Sequence, residues 1–190
     1  LSHIFFNMYA LWAFGGALEH MWGGKKFLFF YLSAGIGAAL IHTGVNYIYF
    51  YRGIQALEAG GYAAQQVITL LGQGQFSPAW YDVAGQDTVQ AMIEAISTPA
   101  VGASGAIYGV LVAFGMAFPN SELFLMFVPV PIKAKYFIPV LIGLDLFSGI
   151  TGYSIFGSGI AHFAHVGGAL FGFLMAWYWK KNSFDRNRWY

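Results

Sequence analysis

Cysteine is absent from all 190 residues, so neither a disulfide framework nor a thiolate metal site is available. Charge is nearly as scarce. Asp, Glu, Lys and Arg together make 9% of the chain and the net charge at pH 7 is +1, which leaves no basic field for a nucleic-acid partner. Two membrane chemistries also lack their residues. There is no His-Glu-x-x-His to hold a zinc ion, and Asp145 is the only aspartate in an apolar stretch, where an aspartyl intramembrane protease needs two that face each other. Opposed charges that would pair across a transporter's midplane are missing too. Neither a metal nor a cofactor is expected.

What is abundant is apolar. With 58% hydrophobic residues, 19% aromatic residues and a mean hydropathy of +0.58, the chain has more apolar surface than one water-soluble core can hide, and the expected partner is a lipid bilayer. Five stretches read as spans of an all-α, polytopic membrane bundle: Ser2 to Met21, Phe27 to Tyr51, Val101 to Phe118, Tyr136 to Ile150 and Ile160 to Trp179. Leu123 to Ile132 is apolar but about half the length needed to cross, and Pro129 and Pro131 interrupt it, so an interfacial hairpin is expected there. Residues 52–99 hold half of the acids and read as an extramembrane insertion. Within it, Asp87-Thr88-Val89-Gln90 resembles a capping box, and Val89, Met92, Ile93 and Ile96 predict a short amphipathic helix. The chain opens inside an apolar segment without an initiator methionine, as expected of a fragment.

The basic residues orient the spans. Lys25, Lys26, Lys133, Lys135, Lys180, Lys181, Arg186 and Arg188 fall in connections and tails that alternate to one side, and only Arg52 falls on the other. By the positive-inside rule the eight are cytoplasmic and the insertion is outside. The first, third and fifth spans then run from outside to inside, so residues early in each lie near the outer face. These are His3 and Asn7, then Ser104, then His162 and His165. Counting from Pro99 and Gly159, Ser104 and His165 lie on the order of 10 Å below their helix starts, at matching depth.

Ser104 opens an uncharged run that continues to Phe118, where unpaired first-turn amides and the helix dipole favour developing negative charge. A nucleophile suits that place. Gly105 and Gly109 share one helix face with Gly102 alongside, and Gly168 and Gly172 mirror them on the fifth span, so two small-residue faces allow close packing and a serine–imidazole hydrogen bond. Simple helix packing by a Gly/Ser motif, and a histidine bonded to a neighbouring backbone, are the plainer alternatives.

Together these residues resemble a known family. Gly102-Ala103-Ser104-Gly105 followed by Tyr108, Ala164-His165 followed by Gly168 and Gly172, and the His3-x-x-x-Asn7 pair look like the three signature segments of rhomboid intramembrane serine proteases. The resemblance extends over nearly the whole chain except the insertion. It implies one rhomboid protease domain over residues 1–190, with a core of six helices of which the first, and most of the loop after it, would lie ahead of Leu1.

The resemblance also implies roles. Ser104 would be the nucleophile and His165 its base, as a dyad that cleaves transmembrane protein substrates near the outer face. Tyr108 would pack against the His165 ring and fix its orientation. His3, Asn7 and the Ser104 amide would donate to the oxyanion. Asp145 is the only candidate for a third member, and capping or loop anchoring is the expected role for it. His162 is expected to face a loop or solvent, outside the site. The insertion is expected to influence access or substrate choice. The compartment expected is a bacterial inner membrane with the site toward its outer face. A rhomboid-like protein that binds or escorts membrane clients without cleaving them is the rival reading, and the presence of both serine and histidine in register favours the protease.

Overall fold

The computed structural model describes residues 2–97, 103–125, 128–153 and 161–182. The first apolar stretch is one helical run that widens in its middle: α1 (Ser2–Ala10) passes through a π-helical segment (Leu11–Gly15) into α2 (Gly16–Trp22). The widened turn meets its neighbour at Gly15, where an added Cβ would lie 2.9 Å from the Phe27 ring. Gly23, at φ +82°, then ends α2 in a conformation that side-chain-bearing residues rarely adopt.

The next helix, α3 (Gly24–Ala59), does not stop at Tyr51. It continues through Arg52 for a total of 36 residues. Two compact units divide inside it, one comprising Leu1–His42 with Ala100–Tyr190, the other Thr43–Pro99. In the second unit α4 (Ala64–Gly72), α5 (Ala79–Ala84) and α6 (Gln86–Ser97) follow. Ile54, Leu57, Val67, Leu71, Trp80, Val89 and Met92 form a core of their own there. The amphipathic helix expected around Asp87 is α6, and its apolar face is spent on that core at Val89 and Met92, while Ile96 stays exposed.

The larger unit holds α7 (Ser104–Ala117), the strands β1 (Glu122–Leu125) and β2 (Val128–Lys133), α8 (Ala134–Thr151) and α9 (His162–Asn182). β1 and β2 are the expected hairpin, paired antiparallel with Glu122 opposite Lys133. Its base is tied by the Ala134 amide to the Ser121 carbonyl at 2.9 Å and by Lys135 Nζ to Asn120 Oδ1 at 3.0 Å. The architecture is an all-α bundle with this one small ribbon among the described residues. Two of its helices, α3 and α8, are by length and composition able to cross a membrane, and α7 is a shorter apolar helix. α9, at 21 residues, dilutes its apolar run with His162, His165, Lys180 and Lys181.

α7 is the central element. Apart from Ser104 and Tyr108, every residue from it up to Phe114 is buried, as expected of a helix that is apolar all round. Its closest neighbour is α9. A Cβ built on Gly168 would lie 1.8 Å from the Gly105 carbonyl oxygen, and one on Gly172 would lie 2.5 Å from the Gly109 Cα. At the same place Gly105 and Gly109 admit Ala38 and Ala34 of α3, whose Cβ atoms a side chain there would meet at 2.6 and 2.7 Å. Because the obstacle at Gly168 is backbone and not a flexible side-chain tip, Gly168→Ala is expected to destabilise the protein by about 3 kcal/mol or prevent folding. A thermal melt of the variant in detergent checks this, and an unchanged midpoint would show that α7 and α9 can part without penalty.

Candidate active site

The junction of α7 and α9 places the site. Ser104 is the first residue of α7, preceded by Ala103, so its amide belongs to the turn that has no intrahelical partner. His165 lies in the first turn of α9, its amide bonded to the Ala161 carbonyl at 3.3 Å. The residues beside them, Gly105 and Ala164, make the close backbone approach, with a Gly105 Cβ only 3.2 Å from the Ala164 carbonyl oxygen. The side chains are thereby brought within reach. Ser104 Oγ lies 2.9 Å from His165 Nε2 and can donate its proton there, a good geometry for a hydroxyl and a neutral imidazole.

Tyr108, one turn below Ser104, lies flat on the histidine. The two ring centroids are 4.2 Å apart and the planes differ by 10°. The stack leaves both ring nitrogens of His165 free to bond in the plane. The phenol hydroxyl of Tyr108 continues to Asp145 Oδ2 of α8.

Among the described residues Asp145 bonds side chains of the neighbouring helices, where capping or loop anchoring is the sequence expectation. It is wholly buried. His162 Nδ1 lies 2.6 Å from its Oδ1, and His165 Nδ1 lies 3.3 Å from the same oxygen. His162, expected to face a loop or solvent, is buried against this carboxylate. The depth argument that pairs Ser104 with His165 reaches Asp145 as well, because α8 runs opposite to α9 and its last turns lie level with the first turns of α9. The signal was the matching depth of an acid on the fourth span and a second histidine on the fifth.

His3 and Asn7 are brought to each other, with Asn7 Nδ2 3.3 Å from His3 Nδ1 across one turn of α1. α1 and the π-helical segment after it pack on α7. Gly102, expected among the packing glycines, lies outside the described residues. Among the described residues no cluster of histidine and acid side chains is arranged to hold a metal ion.

These features define a helical bundle with a serine–histidine pair set at the head of its central helix. Residues 1–182 match the family described as Rhomboid domain, and the chain belongs to the rhomboid family. Over 179 residues, 94% of the chain and 34% of the relative, it is 29% identical to the presenilin-associated rhomboid-like protein, mitochondrial, of Bos taurus. The human protein of that name is 28% identical over the same shares. Rhomboid protein 1, mitochondrial, of Saccharomyces cerevisiae is 26% identical over 94% of the chain and 38% of its own length. The chain thus spans about a third of the length of these curated relatives. No solved structure matches it significantly.

The relatives correct the expected compartment. They are mitochondrial proteins by name, so a bacterial inner membrane does not stand, nor do the labels cytoplasmic and outer that came with it. The reason is physical: the distribution of Lys and Arg separates a basic side from its opposite, and carries no information about which organelle supplies the bilayer.

Proposed function

We propose that this chain is the protease domain of an intramembrane serine endopeptidase that cuts transmembrane protein substrates in a mitochondrial membrane. The observation that carries the reading is the 2.9 Å approach of Ser104 Oγ to His165 Nε2 at the start of a buried apolar helix. In the first step the Ser104 oxygen attacks the scissile carbonyl carbon while its proton passes to His165 Nε2. The resulting oxyanion is stabilised by the Ser104 amide, Asn7 Nδ2 and His3. As the carbon–nitrogen bond breaks, His165 returns the proton to the leaving amine, and an acyl ester on Ser104 remains. Water then attacks that ester, giving one proton to His165, and collapse releases the new carboxyl end and restores the Ser104 hydroxyl. Tyr108 holds the imidazole plane through both halves of the cycle.

Covalent labelling tests this reading. A fluorophosphonate probe is expected to label the full chain in detergent at one site, with labelling lost in Ser104→Ala. A folded parent protein that takes up no probe would favour a client-binding rhomboid over a protease.

The segment 52–99 is proposed to influence which proteins are cut and to take no part in the chemistry. The buried residues of its apolar core, from Ile54 to Met92, all lie within residues 52–97, so replacing those residues by a short flexible linker removes the core and leaves only Phe50 of the side chains packed against it. Closing a loop of different length changes stability by only about 0.6 kcal/mol per doubling. The shortened protein is expected to label with fluorophosphonate as the parent does while cutting a different subset of substrates. A shortened protein that melts cooperatively and does not label would refute this.

A further inference from the structure

We infer that Asp145 is a positioning residue that holds His165 in the tautomer able to accept the Ser104 proton, and that His162 and Tyr108 hold Asp145 in place to do so. The inference deepens the protease reading and rests on it for its consequence in turnover. Its structural content is separate.

The argument begins with the imidazole. His165 Nε2 can receive a hydrogen bond from Ser104 only when it carries no proton, so in the neutral ring the proton must sit on Nδ1. A proton there needs an acceptor, and Asp145 Oδ1 stands 3.3 Å away. Tyr108 cannot supply this, because it meets the face of the ring and not its edge. The two neighbours therefore divide the work: the phenol fixes the plane, and the carboxylate fixes which nitrogen is protonated.

Burial gives the second line. A carboxylate with no exposed surface is costly in a bundle of apolar helices unless donors surround it. The groups that face it are His162 and His165 from α9 and Tyr108 from α7, while Ser148 follows one turn on along α8. No lysine or arginine is among these bonded partners. The shortest histidine contact is that of His162, at 2.6 Å, which marks it as the firm anchor of Oδ1 and leaves the longer bond for the ring that must move protons during turnover. A histidine that the sequence offered no use for is thus assigned one.

The test reads the tautomer directly. In the full chain, labelled with 15N-histidine and held in detergent at a pH where both imidazoles are neutral, His165 is identified by the signal lost in His165→Gln. Its Nδ1 is expected to be protonated and its Nε2 bare. In Asp145→Asn the proton is expected to redistribute toward Nε2, with kcat falling about 100- to 1,000-fold and KM within about threefold of the parent, somewhat less than the loss in a serine protease whose acid makes a tighter bond. His162→Gln is expected to keep the tautomer and lose about 3- to 10-fold in kcat. A parent His165 with its proton on Nε2, or an Asp145→Asn protein that retains a third or more of kcat, overturns the inference. Should Asp145→Asn fail to melt cooperatively, the parent spectrum alone decides. Absence of fluorophosphonate labelling in the parent would count against the protease reading, and the tautomer is read without any turnover.

Discussion

Ser104→Ala and His165→Ala are each expected to lower cleavage of a model transmembrane substrate by about a million-fold, to the rate left by binding and the oxyanion donors. The two side chains share one proton across 2.9 Å, so neither has a separate task to lose. The double variant should therefore be hardly slower than either single one. The backbone contact between α7 and α9 involves the neighbours of both residues and not the pair itself, so the variants should remain folded. The measurement is turnover of the double and single variants beside their melts. Additive losses, or a Ser104→Ala protein that still cuts at a sizeable fraction of the parent rate, would rule out the mechanism.

The second large effect is expected at the proposed oxyanion donors. Asn7→Ala and His3→Ala should reduce kcat by about 10- to 1,000-fold each while leaving substrate binding intact. Their mutual contact at 3.3 Å adds a constraint: each side chain orients the other, so the double variant should lose less than the product of the two single losses. Kinetics and melts of all three variants separate the possibilities. If binding and turnover fall together, or if the melting temperature falls with them, the pair is inter-helix glue and not an oxyanion site.

The helical frame was legible where composition and chain direction act alone. Apolar runs closed by Gly23-Gly24-Lys25-Lys26 and by Lys180-Lys181 mark helix ends whatever the tertiary context, and the glycine pairs on the third and fifth spans point to the contact made at Gly105 and Gly168. Three features were not legible. The continuation of α3 through Arg52 depends on a core assembled from residues as distant as Trp80 and Met92, so a local drop in hydropathy at Arg52 misplaced the end of the helix. The π-helical turn at Leu11–Gly15 leaves no mark in periodicity over so short a stretch. The partners of Asp145 are the third: its depth matches that of the histidines on the fifth span, but only the convergence of α7, α8 and α9 brings a phenol and two imidazoles to it.

The compartment is illegible in the sequence for a different cause. Nothing in a span, a glycine face or a lysine cluster differs between one energy-coupling membrane and another, and the names of the relatives carry what the physics of the chain does not.

The backbone contact of Gly105 with Gly168 and Ala164 has a consequence for how the protein fails when heated. Gly105 is one residue from Ser104, and Ala164 and Gly168 are one and three residues from His165, so parting the pair is expected to require parting the helices. Many enzymes lose activity at temperatures well below their melting point because the site is the softest part of the molecule. Here the keystone of the bundle adjoins both members of the pair, and heat should silence the serine only when the helices themselves come apart.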